Sequence, residues 1–130
     1  MAYKKEKLTQ FAEALLTFEE LIGVKKSRVI QDATIQRFEY TAELFWKVLK
    51  ITLFETEGID SATPKSVIRD AVKSDILTAS DGKLALQMIN DRNMTSHLYS
   101  RSFTDGLYKK MPKYAKLLRK IYSKLAKIEA

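Results

Sequence analysis

The sequence predicts an all-α protein, an up-and-down antiparallel bundle of four to five helices. Apolar residues recur at three- and four-residue spacing through most of the chain, which is typical of helices with one buried face. Glycine and proline number only 4 and 2 in 130 residues, so few turns interrupt long elements. No segment shows the strict alternation of a β-strand. The length suits one domain, which we expect to span residues 1–130.

The first two helices are predicted from their apolar stripes and from the glycines that follow them. The first runs from about Lys4 to Ile22 and stops at Gly23. The second, about Gln31–Glu57, is apolar over two neighbouring stripes and ends at Gly58. A helix that is apolar over so wide an arc is expected in the centre of the bundle or against a second subunit.

The third and fourth helices have clear start signals. Thr63 is the expected N-cap of a helix over Pro64–Lys73, with proline at its first position. Around Asp81 the fourth helix begins, and we expect it to continue into the segment Arg92–Tyr99.

The last helix is predicted to begin near Phe103. Pro112 either kinks this helix in its second turn or marks its true start. The apolar positions keep an a/d spacing for three heptads and are expected to face the core: Leu107, Met111, Tyr114, Leu118, Ile121, Leu125 and Ile128.

The formal net charge of +7 is concentrated at the end of the chain. The first hundred residues carry equal numbers of basic and acidic side chains, whereas residues 101–130 carry nine basic residues against Asp105 and Glu129. Such a basic face attracts polyanions, including nucleic acid. A solvated helix face without a ligand is the alternative. The lysine stripe opposite the apolar one consists of Lys109, Lys113, Lys116, Lys120, Lys124 and Lys127.

Composition excludes several functional classes. The chain has no cysteine and only one histidine, so disulfides and thiol nucleophiles are excluded and a zinc site is disfavoured. No glycine-rich loop has the spacing that cradles phosphates, and we expect no cofactor and no metal. The charged N-terminus does not resemble a signal peptide, and no stretch approaches the ~20 apolar residues that cross a bilayer. The cytoplasm is the expected location.

One polar segment, Asp91–Tyr99, stands out from the apolar periodicity. On an ideal helix Arg92, Ser96 and Tyr99 would share one face, and Asn93 with His97 would share another. Arg92 and His97 would then diverge by roughly 140°. For both to reach one substrate, the helix must end at this point or a second subunit must supply another copy of the segment.

This set of side chains suits metal-free RNA cleavage. Histidine moves protons near neutral pH, and arginine binds phosphate and stabilises charge in the transition state. The ribose 2′-hydroxyl can serve as the nucleophile, so the protein need not supply one. The alternative is a buried polar cluster that ties a helix end to its neighbours, with Asp91 paired to a lysine or arginine.

The spacing Arg92-Asn93-x-x-x-His97-x-Tyr99 resembles the R-x4-H-x-Y motif of the HEPN superfamily. More closely, the chain is similar to the nucleotidyltransferase substrate-binding proteins, whose genes lie beside a minimal nucleotidyltransferase. This resemblance extends over almost the whole chain and includes Gln36–Tyr40 and Trp46-Lys47 on the second helix.

The resemblance implies a homodimeric bundle that pairs with the minimal nucleotidyltransferase, commonly as a heterotetramer, in a toxin–antitoxin module. It implies a metal-independent ribonuclease in which Arg92, His97 and Asn93 are catalytic, and in which the transferase adds AMP to Tyr99. Two further residues of the segment would support the site: Asp91 and Ser96. An alternative within the family is a non-catalytic subunit that presents a substrate to the transferase from a groove between helices. A purely structural bundle with a basic surface is the third possibility.

Overall fold

The computed structural model describes residues 2–96 and 100–128, and within these ranges the chain forms five α-helices and no strand. The prediction of an all-α bundle is therefore confirmed. None of these helices is both long enough and apolar enough to cross a membrane. The helices are α1 (Ala2–Glu19), α2 (Arg28–Glu57), α3 (Pro64–Lys73), α4 (Ala79–Met94) and α5 (Arg101–Lys127).

Helix α2 is the centre of the bundle and packs against each of the other four helices. Its wide apolar arc explains this position, because one stripe alone could not serve so many neighbours. Phe11, Phe18, Phe38 and Phe45 are fully buried where α1 meets α2. Tyr114 of α5 stacks on Phe38, with the ring centroids 5.5 Å apart. One hydrophobic core thus joins α1, α2 and α5.

The connection between α1 and α2 differs at both ends from what the sequence indicated. α1 ends at Glu19, before the expected Ile22, and a turn leads to Gly23 at a left-handed φ of 85°. α2 begins at Arg28, three residues earlier than predicted, because the side chain of Ser27 accepts a hydrogen bond from the backbone N–H of Ile30.

Caps fix the start of α3 and the start of α4. Thr63 and Ser66 form a reciprocal capping box, with Pro64 in the first turn as predicted. α4 begins at Ala79 rather than Asp81, since Thr78 is the residue whose side chain caps it. Gly82 lies so close to α3 that an added Cβ would sit 2.3 Å from a methyl group of Val72.

Helix α5 is continuous through Pro112, so the proline does not mark its start. The helix begins at Arg101, two residues before the predicted Phe103, because Ser100 caps its first turn. Pro112 is exposed on the surface of this helix. Of the predicted a/d stripe, all members but Ile128 are buried, and Ile128 follows the last helical residue and is partly buried.

Candidate functional site

Helix α4 ends at Met94, between Arg92 and the position of His97. Thr95 caps this end: its hydroxyl donates to the carbonyl of Arg92 at 2.7 Å, and its backbone N–H reaches the carbonyls of Asp91 and Arg92. The ideal-helix faces drawn from the sequence therefore do not extend beyond Met94. For Arg92 and His97 to reach one substrate, the sequence required a helix end or a second subunit, and the helix end is present in this chain. His97 and Tyr99 lie outside the described residues.

Asp91 anchors the end of α4 to α5. Its carboxylate accepts a hydrogen bond from the hydroxyl of Tyr114 and another from Lys110 Nζ at 3.2 Å. Tyr114 is fully buried, and this burial, followed by the hydrogen bond to Asp91, raises the pKa of its hydroxyl well above the ordinary value near 10. The pairing of Asp91 with a basic residue, which the alternative of a buried polar cluster predicted, is thus present, and Asp91 acts as a structural support.

Arg92, the next residue of the same helix end, is tied to α2. Its Nε donates to the backbone carbonyl of Glu39 at 3.2 Å. The side chain is partly buried, and this is its only hydrogen bond among the described residues. Because Nε is occupied, the two terminal nitrogens of the guanidinium are the ones that could hold a phosphate in a two-pronged contact.

Asn93 and Ser96 are exposed. The side chains of both make no hydrogen bond within the described part of the chain, while the backbone N–H of Ser96 donates weakly to the carbonyl of Asn93 at 3.4 Å. Both side chains are therefore available to a ligand or to a second protein, whereas their neighbour Asp91 is not.

A polar groove of about 630 Å³ lies beside this helix end, between the first half of α2 and the start of α5. Glu39 lines the groove and also accepts the hydrogen bond from Arg92, so Arg92 lies next to it. The segment that carries His97 and Tyr99 joins this end of α4 to Arg101 on the groove wall. The other lining residues are Arg28, Gln31, Asp32, Ile35, Gln36 and Thr104.

The groove carries both signs of charge. Arg28 and Arg101 supply cations, and Asp32 and Glu39 supply carboxylates. With Arg92 at its edge, cations outnumber carboxylates by one. Such a groove fits a small ligand or a polymer segment that has phosphate together with hydrogen-bonding groups better than it fits an apolar compound.

Sequence reasoning missed three contributors to this site. The carbonyl of Glu39 carries no side-chain signal, because a backbone group is present at every residue. Arg28 and Arg101 are the first residues of α2 and α5, and each follows a serine that caps its helix. Recognising the two serine caps would have placed both arginines at helix starts, but only the packed bundle brings them to one groove.

Comparisons with known proteins agree with this fold. The model of the family described as nucleotidyltransferase substrate binding protein like matches residues 6–127. A crystal structure of a protein from Thermus thermophilus is 40% identical, with a TM-score of 0.84 over 88% of this chain and 98% of that chain. A comparison with curated proteins gives no significant match.

A second solved structure shows the same fold at much lower identity. It is a tri-AMPylated HEPN toxin from Shewanella oneidensis in complex with MNT antitoxin. The two chains are 11% identical, with a TM-score of 0.78 over 95% of this chain and 96% of that chain. At this identity the likeness shows a shared fold.

Proposed function

Because the chain belongs to the nucleotidyltransferase substrate binding protein like family, we propose that it is the HEPN-type partner subunit of a minimal nucleotidyltransferase. The observation that carries the proposal is the family match over residues 6–127. The fold shared with a HEPN toxin solved in complex with MNT antitoxin supports a two-component toxin–antitoxin module. A heterotetramer of two subunits of each kind is the assembly we propose.

Co-expression with a minimal nucleotidyltransferase encoded beside this chain tests the partnership. The proposal expects the two proteins to co-purify at a fixed ratio, measured by light scattering of the eluted complex. With ATP present, the transferase would join the hydroxyl oxygen of Tyr99 to the α-phosphorus of ATP and release pyrophosphate. Intact mass should then show added AMP on the wild type, and a Tyr99→Phe variant should lack the group attached there. Separate elution of the two proteins contradicts the partnership.

We further propose that the site at the end of α4 cleaves RNA without a metal ion. The 2′-hydroxyl of the substrate would attack the neighbouring phosphorus and expel the 5′-oxygen, leaving a cyclic phosphate. His97 would transfer protons in this exchange, Arg92 would stabilise the charge on phosphorus, and Asn93 would orient the phosphate. The support is the motif together with the exposure of Asn93 and the position of Arg92 beside a polar groove.

An RNA cleavage assay in EDTA tests this second part. Wild type freed of AMP should degrade a single-stranded RNA, and His97→Ala should be slower by about 100- to 10,000-fold, because one proton-transfer group contributes a factor of that size. Gln87→Ala is the matched control, being an exposed residue of α4 outside the motif, and should keep most of the activity. Equal cleavage by wild type and His97→Ala, or no cleavage by wild type, contradicts the proposed ribonuclease activity.

A homodimer would complete the site, and exposed apolar side chains on α2 and at the end of α4 support one. Val29 follows Arg28, Tyr40 follows Glu39, and Met94 ends α4; they are 75%, 40% and 40% exposed. Charge introduced by Val29→Asp with Met94→Asp should shift the molecular mass measured by light scattering from dimer to monomer. Phe54→Asp is the control, because Phe54 is 59% exposed at the far end of α2.

A non-catalytic role is the second candidate function, and the groove favours it. A volume of about 630 Å³ lies within the range of ligand sites, and both signs of charge line it. In that role the subunit would hold a substrate for the transferase, and wild type would leave RNA intact. Asp32→Ala and Arg101→Ala would then weaken binding of the substrate, whereas His97→Ala would have no catalytic effect.

A further inference from the structure

A second depression, which is strongly basic, lies along α5 beyond the groove at the site. We call it the α5 trough. It consists of two adjoining hollows of about 690 and 290 Å³ between α5 and the residues that follow α1, and the two share Ile22 and Pro112. Its cations are Lys26, Lys109, Lys113, Lys116 and Arg119.

The positive charge of the α5 trough is largely uncompensated. In the part of the chain that the structure describes, Glu19 is the one carboxylate that lines it, and Arg119 already binds this group, with Nε 2.9 Å from a carboxylate oxygen. That ion pair also raises the pKa of Arg119. The trough lysines form no ion pair with any carboxylate among the described residues. This contrasts with the groove at the site, where carboxylates nearly balance the arginines.

The cations are arranged in a row rather than a cluster. Lys109, Lys113 and Lys116 are exposed on successive turns of α5, and one turn advances about 5.4 Å. From Lys109 to Arg119 the helix rises about 15 Å. A row of this kind follows a linear polyanion, whereas a single phosphate or carboxylate needs only one point of contact.

The floor of the trough is apolar and contains an aromatic ring. Tyr108 is partly buried there, and Lys26 Nζ lies 5.5 Å from the centroid of its ring. Ile22 and Pro112 complete the floor. Proteins that bind single-stranded nucleic acid combine a basic groove with aromatic rings on which bases stack. An acidic protein helix would satisfy the lysines but would leave this ring without a matching planar group.

The trough leads to the site at the end of α4. Arg101 and Thr104 line the site groove, and Tyr108 and Pro112 continue the same stripe of α5 at three- and four-residue steps. A hydrogen bond of 2.8 Å from Gln31 to Asp105 bridges the junction. This bond lowers the pKa of Asp105, and the charges of Lys26 and Lys109 lower it further.

We propose that the α5 trough binds the phosphate backbone of single-stranded RNA and directs the strand into the site. The delivery of the strand to the site rests on the proposed ribonuclease function, whereas binding to the trough can be measured separately from cleavage. The trough is formed by residues outside the Arg92–Tyr99 segment, so it can be changed without altering the proposed catalytic groups.

Fluorescence anisotropy with the full chain and a labelled 2′-O-methyl RNA measures binding without cleavage, because the blocked 2′-hydroxyl cannot attack. Lys113→Glu with Lys116→Glu should weaken binding by about 10-fold or more at moderate salt. The control reverses the same number of charges at Lys5 and Lys83, which are exposed outside the trough, and should change the affinity by less than about 2-fold. Equal weakening by both pairs overturns the proposal, since only net charge would then matter.

The salt dependence provides a second readout that does not depend on folding yield. Replacing two lysines that contact phosphates lowers the slope of log K against log salt by about 1.4, because each contact contributes about 0.7 for a single strand. Lys113→Ala with Lys116→Ala should show this drop, and Tyr108→Ala should weaken binding while keeping the slope. An unchanged slope in the lysine variant contradicts backbone contact.

Three further outcomes distinguish this proposal from the alternatives. Poly-glutamate that competes as well as RNA of the same charge would assign the trough to an acidic protein and overturn RNA as the occupant. If the lysine reversals leave the cleavage of unmodified RNA unchanged, the ribonuclease proposal is supported and the trough proposal is contradicted. If binding depends on the trough but wild type does not cleave RNA, the trough proposal is supported and the ribonuclease proposal is contradicted.

Discussion

The two sides of α5 use the same residue type in different ways. On the side toward α3 and α4, Lys110 pairs with Asp91, Lys120 pairs with Asp81, and Lys124 donates to the carbonyl of Ile76. On the side of the α5 trough, three lysines of the same helix have no carboxylate partner among the described residues. The lysines of the first side join α5 to its neighbours, whereas the lysines of the second present charge to water.

This difference shows that the net charge of a helix does not tell which of its lysines are paired and which are available to a ligand. A lysine near a fixed carboxylate is part of the structure, while a lysine without one is available to a ligand. Position around the helix decides between these roles. The side toward α3 and α4 also contains Tyr114, which links Asp91 to the aromatic core through its stacking on Phe38. We therefore expect changes on this side to affect stability and changes on the trough side to affect binding.

The largest effect is expected from Tyr114→Ala compared with Tyr108→Ala. Removing the fully buried Tyr114 leaves a cavity and costs about 3–5 kcal/mol of unfolding free energy. Tyr108 is partly buried on the trough side, so its removal should cost less than half as much. Urea unfolding followed by circular dichroism measures both. Equal losses would show that the two sides do not differ in the way described.

A smaller effect is expected from Asp91→Ala. This change leaves the buried hydroxyl of Tyr114 without an acceptor, which costs about 1–3 kcal/mol. In Tyr114→Phe the hydroxyl is absent, so Asp91→Ala should cost much less in that background. A double-mutant cycle measured by urea unfolding gives the coupling. Strict additivity of the two substitutions would argue against the hydrogen bond.

The smallest effect is expected from alkaline pH. The pKa of Tyr114 is raised on folding, so the folded state keeps a proton that the unfolded state loses. The stability from this group is complete below pH about 10 and falls above it, by at most about 1.4 kcal/mol per pH unit. Tyr114→Phe should therefore lose less stability than wild type between about pH 9 and pH 11. Parallel pH profiles would contradict the assignment.

Much of the fold could be predicted from local signals. Gly58 ends α2 with a left-handed backbone, and Thr63 caps α3, both as expected. Errors came from caps that resemble ordinary polar residues: Ser27, Thr78 and Ser100 each start a helix two or three residues before the apolar pattern suggested. An N-cap acts through one side-chain hydrogen bond, which leaves little trace in hydrophobic periodicity.

The candidate site was only partly predictable. Spacing and family resemblance singled out Asp91, Arg92, Asn93 and Ser96, whereas the alternative of a buried polar cluster correctly anticipated a basic partner for Asp91. The sequence raised a helix end here only as one of two ways for Arg92 and His97 to reach one substrate. It did not place that end at Met94, because Asn93, Thr95 and Ser96 are compatible with a helix interior as well as with its end. The roles of His97 and Tyr99 remain predictions for the assays described above.

The sequence by itself determined the all-α class, the apolar stripes of the helices and the concentration of positive charge in residues 101–130, since each follows from local order along the chain. Tertiary structure alone decided which lysines are paired, that Arg92 binds the carbonyl of Glu39, and where the two depressions lie. Arg92 and Glu39 are 53 residues apart, and Arg119 and Glu19 are 100 apart. Contacts at such separations depend on how helices pack, and helical periodicity carries no information about which neighbour a polar side chain will meet.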